Sequence, residues 1–134
     1  MRLLFLGLIL ALTFGGWSPT NAQQKPESIK VTVSKQKKAP RSKLTVKFVS
    51  LIEDSRCAEG TTCVWAGNAT IKVSIKRGSD PAETFELNTN EGAKGAAYGP
   101  YAINLISLTP TPKDNVRNNR NAYTATFSVS RLSR

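Results

Sequence analysis

The chain has 134 residues, with 19 Lys and Arg against nine Asp and Glu, two cysteines and no histidine. The absence of histidine excludes Ser-His-Asp and Cys-His catalysis and histidine metal sites, and two cysteines are too few for a Cys₄ zinc centre. A chain of this size has room for one domain of ordinary dimensions.

Arg2 precedes an almost unbroken apolar run from Leu3 to Phe14, followed by Gly15, Gly16 and Pro19 and then by the small residues of Thr20-Asn21-Ala22. This order predicts a secretory signal peptide over residues 1–22, cleaved after Ala22. A membrane anchor is the competing reading, but crossing the hydrocarbon takes about 20 apolar residues, more than this run supplies. No cysteine follows the leader, which argues against a lipid anchor. The mature chain is therefore expected to be secreted or periplasmic, without a transmembrane segment. Residues 23–134 are expected to form one domain, with 23–28 disordered.

Alternation with a period of two runs through the rest. Ile29, Val31 and Val33 alternate with Lys30, Thr32 and Ser34. Leu44, Val46 and Phe48 keep one phase and Val49 and Leu51 take the other, which predicts a bulge within a single strand. Ile71, Val73 and Ile75 form a third run and Phe85 and Leu87 a fourth; with Gly78-Ser79-Asp80-Pro81 as the turn, residues 69–77 and 82–89 read as a hairpin. Tyr101, Ile103 and Leu105 form a fifth, continuing through Ile106 and Leu108, and Tyr123, Ala125, Phe127 and Val129 a sixth. No stretch of the mature chain keeps helical periodicity. The fold class is all-β: a single antiparallel β-sandwich or partly open barrel of six to eight strands. Three stretches read as irregular: a basic linker over 35–43, a Gly- and Ala-rich segment over 90–100, and a long polar loop over 109–121.

Residues 53–67 carry the most information. In an exported protein Cys57 and Cys63, with five residues between them, form one disulfide. Gly60 permits the positive φ that a tight loop needs. Asp54 and Ser55 can accept backbone N–H groups at the loop entry. Arg56, beside Glu53 and Asp54, is placed for a local ion pair, worth only ~0–1 kcal/mol if exposed. Trp65 follows the second cysteine and is expected to cover the disulfide and cap the core. Glu53, Asp54 and Glu59 offer oxygen ligands for calcium, but their spacing fits no defined loop and Arg56 sits among them. Glu53, Asp54, Ser55, Arg56, Trp65 and Gly67 are accordingly read as a disulfide-locked structural corner, with no catalytic residue, metal or cofactor assigned.

Glu53-Asp54-Ser55-Arg56-Cys57 followed by Cys63-Val64-Trp65-Ala66-Gly67-Asn68-Ala69 resembles a family of small exported bacterial domains, described as hypothetical proteins or putative lipoproteins, that carry a DSRCP…CxWAG run. Tyr101-Ala102-Ile103-Asn104-Leu105 and Pro110-Thr111-Pro112 resemble a second run of that family. Ala58 stands where the family usually has proline. The resemblance implies an exported, β-sandwich-like domain and carries no established activity. It also implies a bacterial source, so the formal glycosylation acceptor at Asn68-Ala69-Thr70 is expected to be unused.

Charge is unevenly placed. Residues 25–47 carry a net +7, 48–112 a net −2 and 113–134 a net +4. If the two ends of the domain meet, Lys35, Lys37, Lys38, Arg41 and Lys43 would form the densest part of one basic face, with Arg117, Arg120, Arg131 and Arg134 contributing. Such a face attracts polyanions or an anionic surface by counterion release and steering. Segment 34–43 has no aromatic residue, so no specific nucleic-acid binding is expected. The reading is an exported, non-enzymatic binding or accessory module with a basic face for anionic partners. One alternative is a protein–protein interaction domain, with another envelope protein as partner, that uses the 109–121 loop with Tyr98 and Tyr101. The other is a hydrolase working without histidine, for which no Gly-x-Ser-x-Gly or comparable motif is present.

Overall fold

A computed structural model describes residues 15, 16, 19 and 24–133. Apart from those three isolated positions, the expected signal peptide and its cleavage point lie outside the described residues, as does Arg134. The described residues form eight strands, six of them marked by alternating apolar positions: β1 (Glu27–Thr32), β2 (Gln36–Lys38), β3 (Leu44–Asp54), β4 (Ala69–Arg77), β5 (Glu83–Asn88), β6 (Gly95–Tyr98), β7 (Tyr101–Thr109) and β8 (Thr124–Arg131). Among the described residues a single 3₁₀ turn, Arg120–Ala122, is present and precedes β8.

The strands form two antiparallel four-stranded sheets, ordered β1-β8-β7-β6 and β2-β3-β4-β5, which face each other as a sandwich and do not close into a barrel. Their inner faces bury Leu44, Val46, Phe48, Ile71, Val73 and Ile75 from one sheet and Ile103, Ala125 and Phe127 from the other. At one edge the chain steps between sheets through Val33 and Ser34, whose N–H groups donate to the carbonyls of Tyr123 (2.9 Å) and Phe48 (2.7 Å). At the other edge the Tyr98 hydroxyl donates to the Pro81 carbonyl at 2.9 Å.

The hairpin over β4 and β5 forms with the expected turn, and the phase change in β3 is a bulge between Phe48 and Ser50. A second shift follows between Leu51 and Glu53, and a third lies in β7 between Leu105 and Ser107, turning Ile106 to solvent. Three expectations are corrected. Residues 27 and 28 are not disordered, because Glu27 and Ser28 pair with Val129 and Ser128 of β8. The 35–43 segment is not a plain linker, since Gln36–Lys38 pairs with β3; its side chains are all exposed, so no alternation marks it as a strand. The Gly- and Ala-rich stretch contains β6, where Gly95 lies so close to Asn104 and the Ile103 carbonyl that a Cβ would not fit. Among the described residues no helix is long and apolar enough to cross a membrane.

The strand ends define two poles. One gathers the start of β1, the loop entering β3, the end of β4, the start of β7 and the end of β8. The other gathers the end of β3, the disulfide loop, the 109–121 loop and the start of β8.

Candidate functional site

At the first pole the two basic stretches of the chain meet. Glu27, at the start of β1 and nearly buried, accepts the backbone N–H groups of Arg41 (3.0 Å) and Ser42 (2.9 Å) through its two carboxylate oxygens. This pins the 39–43 turn, in which Lys43 has φ +62°, against the end of β8. The Arg41 guanidinium donates to the Lys25 carbonyl at 2.6 Å and stands 3.7 Å from the Glu27 carboxylate. Between these groups lies an open cleft of about 400 Å³ lined by Lys25, Glu27, Arg41, Lys43, Tyr101 and Arg131, among others. Arg77, at the end of β4, places its guanidinium carbon 5.8 Å from the centre of the Tyr101 ring. Burial alone would raise the Glu27 carboxyl, but hydrogen bonds from Ser42 and from the Arg41 and Ser42 backbone hold it below the usual glutamate range. The only acid lining the cleft is therefore ionised and already engaged. The four cations of the lining outnumber it, so the cleft carries a net positive charge.

Not every expected basic residue joins this pole. Arg41, Lys43 and Arg131 line the cleft. Lys37 and Lys38 lie on β2 opposite Val46 and Thr45, while Lys35 sits further back, in the crossover before β2. Arg117 and Arg120 are at the opposite pole, where Arg120 donates to the Leu51 carbonyl at 2.7 Å.

The opposite pole holds the 53–67 corner. The Arg56 guanidinium grips Asp54 with two hydrogen bonds (Nε to Oδ1, 2.8 Å; Nη2 to Oδ2, 2.9 Å). It also donates to the carbonyls of Leu108 (2.6 Å) and Pro110 (2.8 Å). The Tyr123 hydroxyl donates to Asp54 Oδ2 at 2.7 Å. These partners come from the ends of β3 and β7 and the approach to β8, so one largely buried side chain ties the two sheets together. Burial pushes the Asp54 carboxyl up, but the hydrogen bonds from Arg56 and Tyr123 and the Arg56 charge outweigh it and leave the pKa lowered. Asp54 also raises the Arg56 pKa, and burial, followed by the bond to Asp54, raises that of Tyr123. Glu53 is exposed and outside this ion pair. Ser55 exchanges hydrogen bonds with the Asn68 backbone: its N–H (2.7 Å) and hydroxyl (2.8 Å) donate to the Asn68 carbonyl.

Cys57 and Cys63 are disulfide-bonded, with Cα atoms 5.9 Å apart. Cys57→Ser is expected to lower stability by roughly 2 kcal/mol through loss of the loop constraint. Urea denaturation measures the loss, and the intact mass under non-reducing conditions should fall two hydrogens short of the reduced form.

Trp65 does not cap the core. It is 79% exposed and its neighbour Val64 is 90% exposed. That end of the core is already closed by Leu51, Leu108 and Tyr123, leaving no opening for the indole. Tyr98 and Tyr101 likewise do not join the 109–121 loop: Tyr98 is buried, and Tyr101 lies at the opposite end of β7. Sequence reasoning missed Tyr123 as an Asp54 partner and Asn68 as an organiser. The Asn68 Nδ2 donates to Asn88 (2.8 Å), and its Oδ1 accepts the backbone N–H groups of Asn90 (3.0 Å) and Glu91 (3.2 Å). Among the described residues, no group of three or more His, Cys, Asp or Glu could hold a metal ion.

The fold and the two poles define an antiparallel β-sandwich with one basic cleft. Comparison with protein-family models, with curated proteins and with solved structures finds no match for this chain.

Proposed function

We propose that this chain is an exported, non-enzymatic β-sandwich module that binds anionic partners at its basic pole. The observation that carries the reading is the convergence of Arg41 and Lys43, from the N-terminal basic stretch, with Arg131, from the C-terminal one, on a single cleft. Lys25, Arg41, Lys43 and Arg131 line that cleft together with Tyr101, and Arg77 adds a fifth cation over the Tyr101 ring. The apolar leader and the disulfide fit an oxidising compartment outside the cytoplasm, either secreted or periplasmic. The motif over 53–69 supports a place among the small exported bacterial domains that it resembles. Arg56 and Asp54 satisfy one another and the surrounding backbone, which favours a structural over a catalytic role for that corner.

The mature domain should be retained on heparin or on anionic vesicles at low salt and released as salt rises. The double variant Lys43→Glu with Arg131→Glu should elute at markedly lower salt while unfolding at the same temperature as the parent. A parent domain that is not retained even at low salt would reject the reading. A second reading, docking of another envelope protein at the disulfide pole, is favoured by the exposure of Val64, Trp65 and Val116 there.

A further inference from the structure

The two outer faces of the sandwich differ in charge, and the difference follows from register. On the β1-β8-β7-β6 sheet the outward rows are Ser28–Ser128–Asn104, Lys30–Thr126–Ser107 and Thr32–Thr124–Thr109, in which Lys30 is the single charge. On the β2-β3-β4-β5 sheet, Lys38 pairs with Thr45 and Thr45 with Lys76. The next row is Gln36–Lys47–Ser74–Thr84, and Lys72 follows, beside Glu86 of β5. Four lysines thus share one sheet face with two acids, Glu86 beside Lys72 and Glu53 in the last row, opposite Thr70 at the end remote from the basic pole, and Ser and Thr hydroxyls lie between the lysines. Lys72 and Lys76 belong to the near-neutral middle of the sequence, so the band does not exist in the linear charge pattern.

The band also continues into the cleft. Lys76 precedes Arg77, which stacks on Tyr101, and Lys38 leads through the 39–43 turn to Arg41 and Lys43. Cations therefore run along the sheet face and around the end of the sandwich into a concave site. A planar bilayer can touch the face or the pole but not both. Of the large exposed apolar side chains, Val64, Trp65, Ile106, Val116 and Leu132 lie outside the band, and Ile52, in the second bulge of β3, borders it at the end remote from the pole, which is too little apolar surface to enter a membrane. The face has no aromatic residue, and of the two rings at the pole Tyr98 is buried and Tyr101 lies under Arg77, so bases would find nothing to stack on. Lysines are compact point charges without the planar fork that reads one anion geometry, and the intervening hydroxyls suit a polyhydroxylated chain.

We infer that the lysine face of the β2-β3-β4-β5 sheet and the basic pole form one continuous track for a linear anionic polysaccharide. This rests on the anionic-partner reading of the pole and extends it to a ligand class and a second surface. A chain long enough to turn the corner gains from both surfaces at once, because the second contact is intramolecular.

The test compares the parent, Lys72→Glu with Lys76→Glu, and Lys43→Glu with Arg131→Glu. Each is titrated with long heparin, a heparin tetrasaccharide, single-stranded DNA and vesicles containing anionic lipid, with thermal unfolding to confirm folding. All four lysine-face and pole positions are exposed or half-buried and carry no core packing. Long heparin should bind the parent about tenfold or more tighter than the tetrasaccharide, on the strength of linked contacts. The Lys72/Lys76 variant should lose most of that advantage while binding the tetrasaccharide at the pole like the parent. Equal loss of long and short chains, or no loss of either, overturns the track while leaving the pole reading standing. Failure of the parent to bind any of the probes overturns both. Tighter binding of vesicles or DNA than of long heparin overturns the ligand class.

Discussion

Arg56→Ala is expected to destabilise the domain by about 3–5 kcal/mol, the usual loss when one member of a buried ion pair is removed. Against a typical stability of about 5–15 kcal/mol, this brings the fold close to its limit at physiological temperature. The side chains of Arg56 and Asp54 are 14% and 9% exposed, so solvent does little to replace what the guanidinium supplies. Its removal leaves the Asp54 carboxylate held only by Tyr123 and by the backbone N–H of residue 56, and leaves the Leu108 and Pro110 carbonyls without their donor. Since the partners come from both sheets, the loss falls on the contact between the layers. Thermal unfolding should shift down by more than about 10 °C for a domain of this size. Arg56→Lys keeps the charge but cannot present the fork, and should fall between the two. A shift for Arg56→Ala no larger than that of an exposed control such as Glu53→Ala would reject the tie.

The same substitution has a pH signature. In the parent the folded pKa of Asp54 lies below its unfolded value. Its ionised form therefore contributes stability above about pH 4, where an unfolded aspartate titrates, and that contribution is lost as the pH falls through the lower folded value. Without the Arg56 side chain, burial is opposed only by Tyr123 and the backbone N–H of residue 56, the folded pKa rises, and protonation relieves the variant. The difference in stability between parent and variant should thus narrow as the pH is lowered below about 4. A difference that stays constant from neutral to acid pH would show that the charge of Asp54 plays no part.

Gly67→Ala should cost about 3 kcal/mol or more, combining a left-handed backbone with a steric conflict. Gly67 has φ +68°, and a Cβ there would overlap the Ser55 carbonyl and press on the Arg56 backbone. Neither neighbour is free to yield. Ser55 is held by Asn68, the N–H of Cys57 donates to the Ala66 carbonyl at 3.0 Å, and Arg56 is fixed by its buried pair. Gly60, with φ +83° and open space around its Cα, is the control. Gly60→Ala carries the conformational cost without the overlap and should lose only about 1–2 kcal/mol. Equal losses at the two positions, measured by urea unfolding, would mean that the close approach at Gly67 contributes nothing.

Period-two alternation made most of the sandwich legible in advance. β4 runs over the residues its alternation marks, and the bulge in β3 follows from the change of phase after Phe48. β2 and β6 were illegible for physical reasons. One is three exposed polar residues with no buried face, and the other is Gly-Ala-Ala-Tyr, too short and too small to show a pattern. In the corner, Cys57 and Cys63 were legible as a pair because only one pairing exists. The depth of the Arg56 contact was not, since two of its acceptors are backbone carbonyls 52 and 54 residues away. Trp65 misled because a large aromatic beside a disulfide is ordinarily core, and here the core end is already filled.

The sequence alone determined the all-β class, the disulfide and the absence of histidine chemistry, because each rests on residue type or on local periodicity. It also located charge along the chain: a slightly acidic middle between two basic ends. Only the tertiary structure decided where that charge lies in space. Strand pairing brought Arg41 and Lys43 to Arg131, sent Arg117 and Arg120 to the other pole, and aligned Lys72 and Lys76 with Lys38 and Lys47. Register is set by bulges, turns and buried partners distant in sequence, and so the net charge of a segment does not reveal the face to which its side chains belong.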